Sequence, residues 1–140
     1  MNNVGIVYAT KTNHSKKIAN AIGERINQKA VNVTEYKDIN KVELLYIVGG
    51  IYAGESNPGL IEFVKKLSAD DIKKVVLITS SLSKAKGQES IRKLLEDKGI
   101  KVVDEFMCKG SFLFFGLGNP SKKEIEDTVN KAYDLGVKFA

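Results

Sequence analysis

Two kinds of hydrophobic pattern alternate along this chain. Val4 to Tyr8 is a β-branched and aromatic apolar run that reads as a buried strand, and Ile18, Ala19, Ile22 and Ile26 recur at helical spacing behind Ser15. Val31 to Tyr36 is a short alternating run, and Leu44 to Val48 is a continuous apolar one that ends in Gly49-Gly50; both predict strands. Pro58 suits the first position of a helix, where its fixed φ and missing N–H are tolerated, and Leu60, Ile61, Phe63, Val64 and Leu67 supply the apolar face. Val75 to Ile78 is another unbroken apolar run. A helix carrying Ile91, Leu94 and Leu95 follows, closed by Gly99. Val102 to Met107 reads as the last strand, and the segment from Cys108 to Pro120 leads to a final helix with Ser121 as N-cap and Glu124 completing a capping box.

Strands that are apolar without alternation are covered on both faces, which is the signature of a parallel sheet with crossover helices. The expected architecture is therefore a doubly wound α/β sheet in a single domain over residues 1–140. Right-handed connections place any ligand beyond the carboxyl ends of the strands, at the point where the strand order reverses.

The segments leaving those strand ends hold the candidate chemistry. The first, Thr10-Lys11-Thr12-Asn13-His14-Ser15, joins a strand to a helix N-terminus, where unpaired N–H groups and the positive end of the macrodipole favour an anion. Hydroxyls from Thr10, Thr12 and Ser15 complete such a shell; equally, Ser15 or Asn13 simply caps the helix. The third strand is followed by Gly50-Ile51-Tyr52-Ala53-Gly54-Glu55-Ser56-Asn57. An aromatic among glycines there suits a planar ring, or is an ordinary half-buried tyrosine. The fourth strand is followed by Thr79-Ser80-Ser81-Leu82-Ser83-Lys84-Ala85-Lys86-Gly87, whose hydroxyls and main-chain groups fit either the edge of a polar heterocycle or a solvated turn.

Composition removes several alternatives. There is neither a G-x-x-x-x-G-K-[ST] loop for a nucleoside triphosphate nor a G-x-G-x-x-G turn after the first strand for a dinucleotide. The net charge of +5 comes from scattered lysines with only Arg25 and Arg92 as arginines, so no nucleic-acid platform is expected. One cysteine, Cys108, forbids an intrachain disulfide and suits a reducing interior; with no arginine at phosphatase spacing it reads as a small buried hydrophobe. His14 is the single histidine and has no companion ligands for a metal. No apolar run reaches membrane-span length, no signal-peptide layout opens the chain, and a monomer in the cytoplasm is expected.

The chain resembles the short-chain flavodoxins. Thr10, Thr12 and Ser15 match the family's T-x-T-G-x-[ST] phosphate loop, with Asn13 in place of glycine, one of the few substitutions compatible with a left-handed backbone. Gly49-Gly50-Ile51-Tyr52-Ala53-Gly54, Glu105-Phe106-Met107-Cys108-Lys109-Gly110 and Gly118-Asn119-Pro120 resemble segments of a small-flavodoxin subgroup. The resemblance implies a flavodoxin-like three-layer sandwich with a five-stranded parallel sheet in order 2-1-3-4-5 and FMN at its carboxyl edge. It also implies an electron carrier working between a reductase and an acceptor protein. Thr10, Lys11, Thr12, Asn13, His14 and Ser15 would hold the phosphate. Ile51, Tyr52, Ala53 and Gly54 would lie on one side of the ring, with Tyr52 stacking, and Ser80, Ser81, Leu82 and Ser83 on the other. Two departures are the basic charge and Leu82, with Lys84 and Lys86, where an aromatic is usual. Other readings of the same fold are a small FMN-dependent oxidoreductase of the protoporphyrinogen-oxidising type and a module that has lost FMN.

Overall fold

In a computed structural model of the protein, residues 3–9, 13–36, 41–52, 55–81, 88–109 and 122–140 are described, with main chain alone at 51, 52, 55, 56, 81 and 109. The elements are β1 (Val4–Ala9), α1 (His14–Ile26), β2 (Val31–Asn32), β3 (Val42–Tyr52), β4 (Glu55–Ser56), α2 (Pro58–Lys65), β5 (Ile72–Ser81), α3 (Glu89–Asp97), β6 (Lys101–Lys109) and α4 (Lys122–Phe139). The parallel strands lie in the order β2-β1-β3-β5-β6, so the five expected strands take the expected order. One strand was not expected: β4 pairs antiparallel with the end of β3, Ile51 opposite Ser56 and Tyr52 opposite Glu55.

Unbroken apolar runs build this sheet because successive side chains enter opposite layers. Leu45 and Ile47 of β3 and Val75 and Leu77 of β5 pack with Leu60, Phe63 and Val64 of α2 and Ile91 and Leu95 of α3. Leu44, Tyr46 and Val48 of β3 and Val76 and Ile78 of β5 face α1 and α4 instead, among Ile18, Ile22 and Ala132. Each fully buried side chain of this kind contributes about 1.5–3 kcal/mol. Tyr46 is wholly buried, and its hydroxyl donates to the Ala132 carbonyl, satisfying the one polar atom it carries into the core. Burial pushes its phenol pKa up to about 12.

The second strand is shorter than the run Val31 to Tyr36 predicts. Asn32 Oδ1 accepts hydrogen bonds from the Thr34 main-chain N–H at 3.0 Å and the Thr34 hydroxyl at 2.9 Å, and the Glu35 N–H returns to the Asn32 carbonyl at 2.8 Å. This side-chain turn competes with the ladder and wins, ending β2 at Asn32. Helix ends follow the sequence more closely. Asn57 Oδ1 caps α2 through the Gly59 N–H at 2.8 Å, with Pro58 at its first position. Gly99, at φ 81°, closes α3, and the Ile100 N–H returns to the Leu95 carbonyl at 3.0 Å. Ser121 lies outside the described residues; Glu124 is in the first turn of α4.

Gly23 shows how tightly α1 is fitted to the chain that leaves it. A Cβ there would stand 2.4 Å from the Gln28 carbonyl oxygen, a main-chain atom that cannot rotate away. In an open helix Gly→Ala is stabilising by up to about 1 kcal/mol. Gly23→Ala is expected to have the opposite sign, destabilising by about 1–3 kcal/mol as an overpacked site does. Urea unfolding followed by circular dichroism measures this, and a stabilised variant contradicts the close approach.

Candidate functional site

The register of the parallel strands aligns the three strand ends that precede the candidate segments. Ala9 of β1 pairs with Gly49 of β3, Gly49 with Thr79 of β5, and Gly50 with Ser80. The order reverses between β1 and β3, so the ligand position of an open α/β sheet lies just beyond Ala9 and Gly49.

On the β1 side stands the N-terminus of α1. Asn13 sits at its N-cap in the left-handed conformation, φ 67° and ψ 1°, as expected of an asparagine in the glycine position of the loop. Its side chain makes no capping bond, and no acidic residue occupies the first turn. Asn13 thus does not give the first-turn N–H groups the side-chain acceptor that Asn57 supplies to α2. Ser15 is 0% exposed, and its Oγ has no hydrogen-bond partner among the described residues. Simple capping by Asn13 or Ser15 therefore does not account for this segment. A buried hydroxyl without a partner is costly, and here it lies in the first turn of a helix whose free donors favour an anion. His14, in the same turn, has its pKa lowered by partial burial and by the charge of Lys17.

The other candidate residues divide between the described chain and the rest. Ile51 and Tyr52 are the last two residues of β3, and Ser80 and Ser81 the last two of β5. Ser81 pairs with Lys109, and Ser80 with Cys108. The sheet thus brings the ends of β3 and β5 side by side, with Ala9 at the end of β1 opposite Gly49. Thr10, Lys11, Thr12, Ala53, Gly54, Leu82 and Ser83 lie outside the described residues, as do Lys84, Lys86 and the apolar residues Phe112, Phe114 and Phe115.

Sequence reasoning missed a polar network below the same strand ends. Gln88, at the N-cap of α3, is 1% exposed and turns its side chain inward, where Nε2 donates to Thr79 Oγ1 at 3.2 Å. Its main-chain N–H donates to Glu105 Oε2 at 2.8 Å. The other carboxylate oxygen of Glu105 accepts from Arg92 Nε at 3.0 Å and Nη2 at 2.6 Å. The Gln88 amide also lies against Gly49: a Cβ on that glycine would stand 3.1 Å from Oε1 and 2.7 Å from Leu60 Cδ2. Only the glutamine's place just before a helix hinted at this, because N-caps are more often Ser, Thr, Asp or Asn.

Cys108 is buried, as expected of a small hydrophobe, and its thiol pKa is raised chiefly by that burial. Among the described residues no group of three His, Cys, Asp or Glu side chains is placed to hold a metal, and no helix is long and apolar enough to cross a membrane.

A doubly wound parallel sheet in this order, with a helix N-terminus open at its switch point, defines a flavodoxin-like α/β protein. The Flavodoxin domain family model matches residues 5–130, and the chain belongs to that family. An uncharacterized protein of Methanocaldococcus jannaschii is 27% identical over 131 residues, which is 87% of each chain. A DNA ligase of Aliarcobacter butzleri is 33% identical over 113 residues, 80% of this chain, although the match spans only 15% of the ligase. Among solved structures, a flavodoxin from the domain Archaea superposes with a TM-score of 0.74 at 16% identity, covering 96% of each chain. A variant flavodoxin of Fusobacterium nucleatum bound to flavin mononucleotide gives 0.65 at 20% identity, covering 98% of this chain and 96% of that one. The shared fold is the flavodoxin-like α/β fold.

The setting of His14 fixes the sign of a pH effect. A folded-state pKa below the ordinary 6.5 means that the unfolded chain binds the proton more readily. Stability is therefore expected to fall as pH drops through 6.5 toward the folded value and to level off below it, and His14→Gln should remove that component. The His14 ring-proton NMR titration should show a midpoint below 6.5 in the ligand-free protein; a midpoint at or above it contradicts the placement.

Proposed function

We propose that the protein is an FMN-binding electron carrier, receiving electrons from a reductase and passing them to an acceptor protein. The observation that carries the cofactor assignment is Ser15: a buried hydroxyl with no partner among the described residues, in the first turn of a helix whose N-cap side chain makes no capping bond. A terminal phosphate supplies the acceptor oxygens and negative charge that this turn lacks. In this reading Thr10, Lys11, Thr12, Asn13, His14 and Ser15 hold the phosphate. Ile51, Tyr52, Ala53 and Gly54 line one side of the ring, with Tyr52 stacking, and Ser80, Ser81, Leu82 and Ser83 meet the other. The bound flavin supplies the redox chemistry, while the chain binds it, orients it and limits its contact with water.

FMN affinity is therefore expected to depend on the phosphate. Titrated by flavin fluorescence, FMN should bind and quench, and riboflavin should bind far more weakly. Ser15→Asp places a carboxylate beside the phosphate and removes a hydroxyl donor, and should weaken FMN by about 3 kcal/mol, roughly 100-fold. Equal affinity for FMN and riboflavin, or a variant that binds FMN like the parent, overturns the assignment. With NADPH and a flavodoxin reductase, cytochrome c reduction should rise with added loaded protein; no dependence on it overturns the carrier role.

A further inference from the structure

The buried Gln88 contacts three neighbouring strands, β3 near its end at Gly49, β5 at Thr79 and β6 at Glu105, and one end of its amide has no partner among the described residues. Nε2 is bound to Thr79 Oγ1 of β5, the main-chain N–H is held by Glu105 of β6, and the amide packs on Gly49 of β3, but Oε1 has no partner among the described residues. Turning the amide over does not remove the deficit, because the Thr79 hydroxyl can also donate to Oε1 and Nε2 would then be the unused end. Arg92 and the rest of the Glu105 carboxylate already anchor the start of α3, so the glutamine side chain is not needed to hold that helix. A residue with only a packing role at this depth would be apolar; a half-satisfied buried amide is costly and calls for a partner.

We propose that Gln88 is a positioning residue for the ligand position beyond Ala9 and Gly49: its spare amide end forms a hydrogen bond with the main chain at the end of β3, between Gly50 and Tyr52, when that position is filled. The bond ties the β3 end to β5 through Thr79. Gly49 permits it, because any side chain there would occupy the space that the amide now takes. In the free protein the unused amide end is a burden; in the loaded protein it is satisfied, so part of the binding free energy arises beneath the ligand. The inference rests on the FMN reading above.

The test is the double variant Thr79→Val with Gln88→Met, which removes both polar partners while keeping their approximate shapes. Replacing both members of such a pair leaves stability unchanged or raised. The free variant is thus expected to unfold in urea at the parent's midpoint or above it, yet to bind FMN at least tenfold more weakly. Hydrogen exchange at the Gly50, Ile51 and Tyr52 amides should slow on FMN binding in the parent and much less in the variant. A double variant that binds and protects like the parent overturns the proposal, as does one destabilised without a further loss of affinity. A parent that binds no flavin overturns the FMN reading instead, which the same titration reveals first.

Discussion

The parallel register that sets Ala9 beside Gly49, and Gly49 beside Thr79, is the constraint on which the rest of the molecule depends. It is fixed by burial on both faces of β3 and β5. A one-residue slip would send Leu45 and Ile47 into the layer of α1 and α4, and Leu44, Tyr46 and Val48 into that of α2 and α3. Tyr46 resists such a slip most strongly, because its buried hydroxyl would lose the Ala132 carbonyl. With the register set, the carboxyl ends of three strands finish side by side at the point where the strand order reverses.

Two kinds of polar deficit mark that edge. In the first turn of α1 Asn13 makes no side-chain cap and the Ser15 hydroxyl has no partner among the described residues, whereas α2 is capped by Asn57 and the start of α3 is held by Glu105. The exception among these helices is the one at the switch point, where an open α/β sheet takes its ligand. Gln88 adds a second unused hydrogen-bonding end in the layer below. In the proposed reading, a phosphate above and an ordered strand end beside Gln88 would satisfy both groups.

The fold was largely legible in the sequence because unbroken apolar runs leave few arrangements open. Val4 to Tyr8, Leu44 to Val48 and Val75 to Ile78 fell within β1, β3 and β5, and Asn13 took the left-handed conformation expected of it. The misreadings have local causes. Asn32 turned the chain by accepting from Thr34, which the alternation from Val31 to Tyr36 conceals. The strand Glu55–Ser56 is held by main-chain pairing with Ile51 and Tyr52 and carries no hydrophobic period of its own. The inward turn of Gln88 depends on Thr79, nine positions earlier, and on the space above Gly49, neither of which its neighbours in sequence reveal.

A phosphate held by the first turn of α1 is the central claim, and amide NMR shifts test it most directly. With FMN added to the ¹⁵N-labelled protein, the Asn13, His14, Ser15 and Lys16 amides should shift strongly, and inorganic sulfate should move the same resonances in the same direction. Riboflavin should leave them nearly unmoved. Shifts confined to other parts of the chain, or the same response to riboflavin as to FMN, would contradict a phosphate site at Ser15.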